Sequence, residues 1–551
     1  MHPSFETIFD IIISPRFTIF TLTTFFVWRA YRLLKDIIYG RLTALRGLTH
    51  LGTERQHKIK GTAVICGGSI SGILTARVCA DHFQRVLVVE PEPPSMDITK
   101  PRSRILQRES LHAYTTFFLE ALRRIWPDFD AEVRGLNGMV SPGDFKAHFG
   151  GVIIPPPYEE YLTNGLPEIL FLRRTALERL LHRLLTRTCT NTAFMVGTVR
   201  KLVPSYDHHK IDSVIVRTHT SHEQQVNDVW LVADCTGSSQ SGLKWLKAAG
   251  YEIPHDLRVS YDHKMHYVTT LYTVTEQMRA KLLVPGGYEN AGFLYTFVAD
   301  YRWGNAGFVL SKMDGDTIEL CCGGWGDVHL PKKSDDIEGF VRSLRGPVPV
   351  PTWVLNVLTV LNENGSPVFH PVKIPPCSWV QYRLLSNLPS NFIAIGDSEM
   401  QLNPVFAQGC SKSMLGAITL NTLLLSYDTR KNHSLPNNLS RRFFRKIDEL
   451  INPLWLSTKA LDYGFKTTVP VAGETLEHGK LIRSYTDRVL FAAEKDRKVA
   501  SALWHVRMLM APPTDLFTPM ILLKVLYSSF RLWWKGAFRW PVTHHEHRPS
   551  L

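Results

Sequence analysis

Residues 62–90 read TAVICGGSISGILTARVCADHFQRVLVVE, and this stretch decides the fold class. Ala63-Val64-Ile65-Cys66 is a short apolar run of the kind found in buried parallel strands. It meets Gly67, Gly68, Ser69 and Gly72. Ile70, Ile73, Leu74, Arg77, Val78 and Asp81 then follow at helical spacing, with Ala76 and Ala80 small enough for close packing. A second apolar run, Val86 to Val89, ends on Glu90. Strand, glycine turn, helix, strand and an acid about 20 residues after the glycines are what a dinucleotide-binding βαβ unit requires, the acid being placed for ribose hydroxyls. One position departs from G-x-G-x-x-G: Ser69 stands where glycine lets the backbone approach the pyrophosphate. Serine adds only a methylene and a hydroxyl, and the hydroxyl can itself donate to a phosphate. The acid does not separate NAD from FAD.

A second stretch, NFIAIGDSEMQLNPVFAQGCSKSMLGAITLNTLLL from Asn391, makes that choice. A short strand runs into Gly396-Asp397, then Asn403-Pro404 and Gln408-Gly409, and a helix follows with small residues at Ser413, Gly416 and Ala417. A carboxylate at a strand end and a loop feeding a helix N-terminus suit an anionic or electron-rich ligand. The pattern G-D-x-x-x-x-x-N-P-x-x-x-Q-G resembles the second flavin motif of the class A, aromatic-hydroxylase-type FAD-dependent monooxygenases. The resemblance implies that Asp397 holds the ribityl chain, and that the backbone after Pro404 and around Gly409-Cys410 meets the isoalloxazine ring. It extends to FLRRTALERLLHRLL, where Arg174 precedes Glu178 by four, and to VWLVADCTGSSQSGLKWLKAAGY, which places Asp234 and Gly237. In PRSRILQRESLHAY it points to Arg102, with Arg104 as rival, for the phosphates and flavin. The tail from INPLWLSTKALDYGF resembles a helical extension of a membrane-associated fungal and bacterial branch.

Two departures matter. The hydroxylases' C-D-G is here Asp234-Cys235-Thr236-Gly237, which weakens NADPH binding in the hydroxylase manner, and the W-x-W-x-I-P motif of flavin halogenases is absent. No second glycine-rich βαβ unit is evident, which disfavours a separate NAD(P)H domain.

The chain carries a net charge of +13, concentrated at its ends: about +5 in residues 1–60 and about +4 in residues 520–551. A nearly balanced body argues against nucleic acid as partner and suits ends lying on an anionic membrane. The apolar run Phe17–Trp28 is short of the ~20 residues needed to span, unless Ile8–Ser14 is added along with Asp10, Pro15 and Arg16. The segment is expected to be a single anchor, spanning or re-entrant, a transmembrane helix in the first case. The basic cluster after Trp28 would hold the body on the cytosolic side, at the endoplasmic reticulum if the source is eukaryotic. The stretch from Leu516, with Trp533, Trp534, Phe538 and Trp540 among Lys524, Arg531, Lys535 and Arg539, reads as an interfacial helix or as a packing helix. Eight scattered cysteines have no zinc spacing and fit a reducing compartment. No metal site is expected.

His112 stands in a stretch expected to be helical, with Leu111, Tyr114, Phe117 and Phe118, and reads as a core or flavin-edge histidine. No catalytic acid or base is assigned. The expected architecture is α/β: an N-terminal anchor and basic linker (1–60), then a Rossmann-like FAD-binding domain in three pieces, about 61–130, 168–250 and 380–425. A β-rich substrate domain (about 131–167 and 251–379) is inserted, and a helical C-terminal region (426–551) follows. The β-like stretches VTTLYTVTEQ, GGYENAGFLYTFVAD and NAGFVLSKMDGDTIELCCGGW are expected to form a sheet floor over the flavin. The expected cofactor residues are Gly67, Ser69, Gly72, Glu90, Arg102, Arg174, Asp234, Gly237, Asp397, Pro404, Gly409 and Cys410. The function these imply is a monooxygenase using FAD, NAD(P)H and O2 to hydroxylate or epoxidise a lipophilic small molecule, such as a terpenoid, meroterpenoid or prenylated aromatic, in secondary metabolism. The alternatives are an FAD-dependent dehydrogenase, reductase or halogenase and, from another class, a non-catalytic lipid-binding protein on a GDP-dissociation-inhibitor-like fold.

Overall fold

In the computed structural model, residues 15–92, 107–163, 165–365, 367–427 and 435–534 are described. The apolar run at the start of the βαβ unit is the inner part of strand Ile59–Cys66, where Ala63, Val64 and Ile65 are fully buried. Its parallel neighbours are Phe83–Glu90 on one side and Val229–Asp234 on the other. Phe392–Ala394 extends the parallel set beyond Val229–Asp234, and Thr192–Pro204 extends it beyond Phe83–Glu90. Strands this deep have helices on both faces, so their sequences read as unbroken apolar runs. Two antiparallel strands, Ile211–Thr218 and Glu223–Val226, complete a seven-stranded sheet.

The helix Ile70–His82 packs against Gly409–Leu425, which joins the two motifs separated by most of the chain. A small residue lets Gly409–Leu425 lie close to the end of the strand Phe392–Ala394: a Cβ on Gly416 would lie 2.8 Å from Ile395 Cγ2.

A second seven-stranded sheet lies beside the first, in the order Val368–Lys373, Met265–Thr273, Thr317–Trp325, Ala306–Met313, Phe293–Val298, Ala147–Phe149, Val152–Ile153. The expected β-like stretches supply four of its strands. Strand alternation splits their side chains between two faces. Ile318, Leu320 and Cys322 face an outer core with Ile337, Val354 and Leu358 of the helices Ser334–Ser343 and Thr352–Asn364. The opposite face covers the cleft described below.

The C-terminal region is helical: Leu439–Asp462, Lys480–Ala493, Arg497–Arg507 and Pro519–Trp534. The first of these is built into the main core through Phe443, Phe444 and Ile447.

Two expectations change. The expected spanning anchor is not found: among the described residues no helix is long and apolar enough to cross a membrane. The helix Pro15–Leu42 has the length, with 28 residues, but Arg16 and Arg29 bound its apolar run, and Arg32, Lys35, Asp36 and Arg41 follow. Its distal end is instead tied to the body, by Arg41 to Glu449 (3.0 Å) and Tyr39 to Asp515. Ile8–Ser14, needed for a longer span, and the aromatic-cationic residues 535–540 lie outside the described residues. His112 is not helical either. The helix begins at Thr116, capped by the Thr115 side chain accepting from Phe118 N–H, and 110–115 is an irregular connection.

Candidate functional site

A cleft of about 590 Å³ opens where the two glycine segments meet. Each segment brings a helix N-terminus to it. Ser69 is the N-cap of Ile70–His82 yet makes no side-chain cap bond, and Gln408 likewise leaves Gly409–Leu425 without one. Two helix starts with no side-chain cap therefore point first-turn N–H groups into one cavity, an arrangement that favours phosphate or a developing negative charge.

The glycines are there for space. Gly67 has φ +116°, and a Cβ on it would sit 2.3 Å from the Cys235 carbonyl oxygen. A Cβ on Gly72 would fall 1.8 Å from the Gly67 oxygen. Gly72 does not line the cleft; it lets the helix start against the turn. Glu90 reaches the loop from the second strand, its carboxylate accepting from the N–H groups of Gly68 (2.6 Å) and Glu92 (2.9 Å). Glu90 lines the cleft at the place that a dinucleotide's ribose hydroxyls would take.

Ser69 settles differently from either expectation. Its hydroxyl donates to Glu178 Oε1 (2.5 Å), and the same oxygen accepts from Arg174 Nε (3.2 Å). Arg174 Nη1 lies 3.3 Å from His112 Nε2. His112 Nδ1 must donate to the Ser110 carbonyl (2.8 Å), so Nε2 is the lone-pair nitrogen and accepts from Arg174. Burial, with Arg174 beside it, holds the His112 pKa down at about 4, so the ring is neutral at working pH. Arg174, His112 and Ser69 line the cleft, with Glu178 buried behind them. The bare sequence showed only the Arg174–Glu178 spacing; Ser69 and His112 join it from 105 and 62 residues away.

On the other side, Asp397 lines the cleft with its carboxylate partly exposed and one oxygen held by Lys412 Nζ (2.7 Å). Lys412 is itself buried and also donates to the Met400 carbonyl. A buried ammonium needs such partners. Sequence reading passed over this lysine, although one cation among the small residues of a helix first turn was a visible signal. Gly396 has φ +76°, and a Cβ there would meet Ser71 Oγ at 2.2 Å. Ser71 and Ser413 hydroxyls, 2.6 Å apart, tie the two helix starts together. Pro404, Gly409 and Cys410 line the cleft as well; burial pushes the Cys410 thiol up to about 12, leaving it a neutral wall residue. Gly237 also lines it, and its N–H donates to Ser398 Oγ (2.8 Å).

Asp234 does not reach the cleft. It is fully buried, and its oxygens accept from Thr236 N–H (2.9 Å), Thr236 Oγ1 (2.7 Å) and Gly242 N–H (2.7 Å). Its place is inside the turn that presents Thr236 and Gly237. Arg102, and its rival Arg104, lie outside the described residues.

Behind the Asn403-Pro404 turn is a buried carboxylate that ties three parts of the fold together. Asp462 accepts from Asn403 Nδ2 (2.9 Å), Trp325 Nε1 (2.9 Å) and Tyr261 Oη (2.8 Å). Burial raises it from the usual aspartate range to about 7. The folded state therefore keeps a proton that the unfolded chain has released above about pH 4. The stabilisation this gives is full below about pH 4 and is lost as pH rises to about 7. Asp462→Asn should consequently show a smaller fall in Tm between pH 5 and pH 7.5 than the parent chain. Equal slopes for the two proteins would refute this assignment.

No protein-family model matches the chain. It is 23% identical over 514 residues to Protein Rv3254 of Mycobacterium tuberculosis, covering 89% of this chain and 99% of that one. Among solved structures, a flavoprotein/dehydrogenase from Cytophaga hutchinsonii superimposes with TM-score 0.55 at 10% identity, over 86% of this chain and 99% of that one. PqsL, a probable FAD-dependent monooxygenase from Pseudomonas aeruginosa, gives 0.51 at 11% identity, over 78% and 100%. The flavin-dependent brominase Bmp2 gives 0.51 at 12%, over 87% and 100%. The chain thus has the α/β fold of FAD-dependent oxidoreductases, with a second β-sheet and a helical C-terminal region.

Proposed function

We propose that the chain is an FAD-dependent monooxygenase that oxygenates a lipophilic small molecule, with NAD(P)H as reductant. The observation that carries this reading is the convergence of two helix starts without side-chain caps, Glu90 and the Asp397–Lys412 pair on one cleft roofed by a β-sheet. Diphosphate, ribose and ribityl groups each have a fitting partner there: backbone N–H groups, the Glu90 carboxylate and Asp397. FAD supplies the activation of O2, one oxygen atom entering the substrate and the other leaving as water as NAD(P)H is oxidised. The protein orients the cofactor, and the sheet over the cleft shields it from water.

Arg174 is a cation of the cleft wall, paired with Glu178 and steadied by neutral His112. A fixed positive group in a water-poor cleft stabilises negative charge developing beside it. In this reading residues 61–130, 168–250 and 380–425 form the cofactor domain, and the inserted sheet forms the substrate domain.

Two ends with exposed apolar and aromatic side chains support a membrane-surface location. The helix Pro15–Leu42 exposes Leu22, Phe25, Phe26 and Trp28, and Pro519–Trp534 exposes Leu523, Leu526, Tyr527 and Phe530. They meet at a cavity of about 530 Å³ lined by Tyr31, Lys35, Met520 and Ile521. Such ends would let a lipophilic substrate be drawn from a bilayer.

The test is anaerobic reduction of the flavin-loaded chain by NADPH and by NADH, followed by ¹⁸O2 with candidate lipophilic substrates. A product carrying one ¹⁸O atom is expected; reduction of the flavin by a substrate, with no oxygen incorporated, would show a dehydrogenase instead. Glu90→Ala should weaken FAD binding by about 10- to 100-fold, as expected for losing one charge-assisted hydrogen bond, measured by flavin fluorescence titration. An unchanged affinity would remove Glu90 from the site.

A further inference from the structure

The irregular segment Ser110–Thr115 is pinned on both sides. Tyr267 Oη donates to Ser110 Oγ (2.8 Å), Leu111 N–H donates to Thr269 Oγ1 (3.3 Å), and the Thr115 and Ser411 hydroxyls lie 2.7 Å apart. The sheet face that carries Tyr267 and Thr269 therefore looks toward the cofactor cleft. Alternation puts Leu271 on that face, and the register Thr269↔Cys321, Leu271↔Glu319 and Ser311↔Glu319 adds Cys321, Glu319 and Ser311.

Glu319 is out of place there. It is 3% exposed, and its carboxyl makes no hydrogen bond among the described residues, with Oε2 fully buried. The neighbouring cation is committed elsewhere: Arg173 bonds Asp314 through its backbone N–H (2.5 Å), Nε (3.2 Å) and Nη2 (3.0 Å). The Tyr114 hydroxyl is a second buried polar group without a partner. Glu319 lies close enough for its charge to act on both Tyr114 and Tyr267. On the side away from Arg173 the neighbours include an apolar group, Val309 of the same sheet face packing in a cluster with Ala113, Phe293 and Met508. A carboxyl desolvated with nothing to bond is expensive to keep. A fold built only for stability would place a hydrocarbon side chain there.

We propose that Glu319, with the Tyr114 hydroxyl, is the polar end of the substrate chamber and hydrogen-bonds an oxygen atom (hydroxyl, carbonyl or ether) of an otherwise apolar substrate. This deepens the monooxygenase reading and rests on it for the chamber's purpose. Burial pushes Glu319 up to about 8, so at neutral pH it is a neutral acid that donates to such an oxygen. With Asp314 and Glu109 also acting on it, the same pocket disfavours a carboxylate substrate. The role is recognition and positioning; no bond is made or broken by Glu319.

The experiment is equilibrium dialysis of the full chain against radiolabelled farnesol and against the C15 hydrocarbon that lacks its hydroxyl, at pH 7, with and without FAD. The parent chain should prefer farnesol by about 10-fold, the worth of one well-placed hydrogen bond. Glu319→Gln keeps a donor and should retain most of that preference; Glu319→Leu should abolish it while leaving hydrocarbon binding and flavin content unchanged. Tyr114→Phe, which removes one oxygen and keeps the ring, should lower the preference by about 3-fold and serves if the leucine variant fails to fold. No preference in the parent chain, or the same preference in Glu319→Leu, would overturn the proposal. Absence of bound flavin in the parent chain would instead strike the monooxygenase reading, and the dialysis of the flavin-free protein keeps the two outcomes apart.

Discussion

Gly72→Ala should lose FAD almost completely, with affinity falling at least about 100-fold, the scale of a bound-state loss near 3 kcal/mol. The new Cβ would sit 1.8 Å from the Gly67 carbonyl oxygen and 2.8 Å from its carbon. Both are backbone atoms and neither can rotate aside. The loop cannot retreat in the other direction, because Gly67 is itself pressed on the Cys235 carbonyl and its N–H is bonded to Val89 O at 2.8 Å. The helix Ile70–His82 must therefore back away from the sheet, carrying its first-turn N–H groups with it. Overpacking of this kind also destabilises by about 1–3 kcal/mol, so a thermal melt should fall together with flavin content. Gly237→Ala is the matched control. Unlike Gly72, Gly237 lines the cleft and has positive φ, but nothing lies within 4 Å of a Cβ there, so only the left-handed penalty of about 1 kcal/mol applies. If Gly72→Ala behaves like Gly237→Ala, the close approach has been misread.

Arg174→Ala should be the most destabilising single change in the cleft wall. Glu178 is 4% exposed, and removing the guanidinium takes from this buried carboxylate its ion pair with Arg174 at 3.2 Å. Breaking one side of a buried pair costs about 3–5 kcal/mol, because the remaining charge must stay desolvated or take a proton. His112 loses its donor in the same step. Adding Glu178→Gln should restore about 1–3 kcal/mol of the loss, the coupling expected of residues in one network. The double variant should recover stability without recovering full flavin affinity or turnover, because Arg174 also lines the cleft. Chemical denaturation of the four members of the cycle measures the stability part; equal losses in the single and double variants would show that Glu178 is not what Arg174 neutralises.

What could be read from the bare sequence and what could not divides along physical lines. The βαβ unit was legible because its signals are local: strands buried on both faces become unbroken apolar runs, and a tight turn must carry glycine. Gly67, Gly72 and Glu90 all occupy the positions their spacing announced, although Gly72 serves packing and does not line the cleft. The inserted sheet was visible in its alternation. The Ser69–Glu178–Arg174–His112 network was not, because it joins three segments whose relation is set by tertiary packing. Asp234 was placed in the right turn but on the wrong side of it; an acid two residues before a threonine can bond its own turn as readily as a ligand. The helix expected around His112 starts later because the apolar spacing there spans an irregular segment, and Thr115 supplies the actual cap. Among the described residues no helix meets the expected membrane span, because charge interrupts it: a segment can have spanning length while arginine and lysine break its apolar core.

The central claim is that this cleft holds FAD, and the most direct measurement is the visible absorption spectrum of the purified full chain in mild detergent, after incubation with FAD and removal of the excess. A two-band flavin spectrum with about one FAD per chain is expected, nearly absent in Gly72→Ala. A colourless protein that retains no FAD, with Gly72→Ala indistinguishable from it, would show that the cleft is not a flavin site.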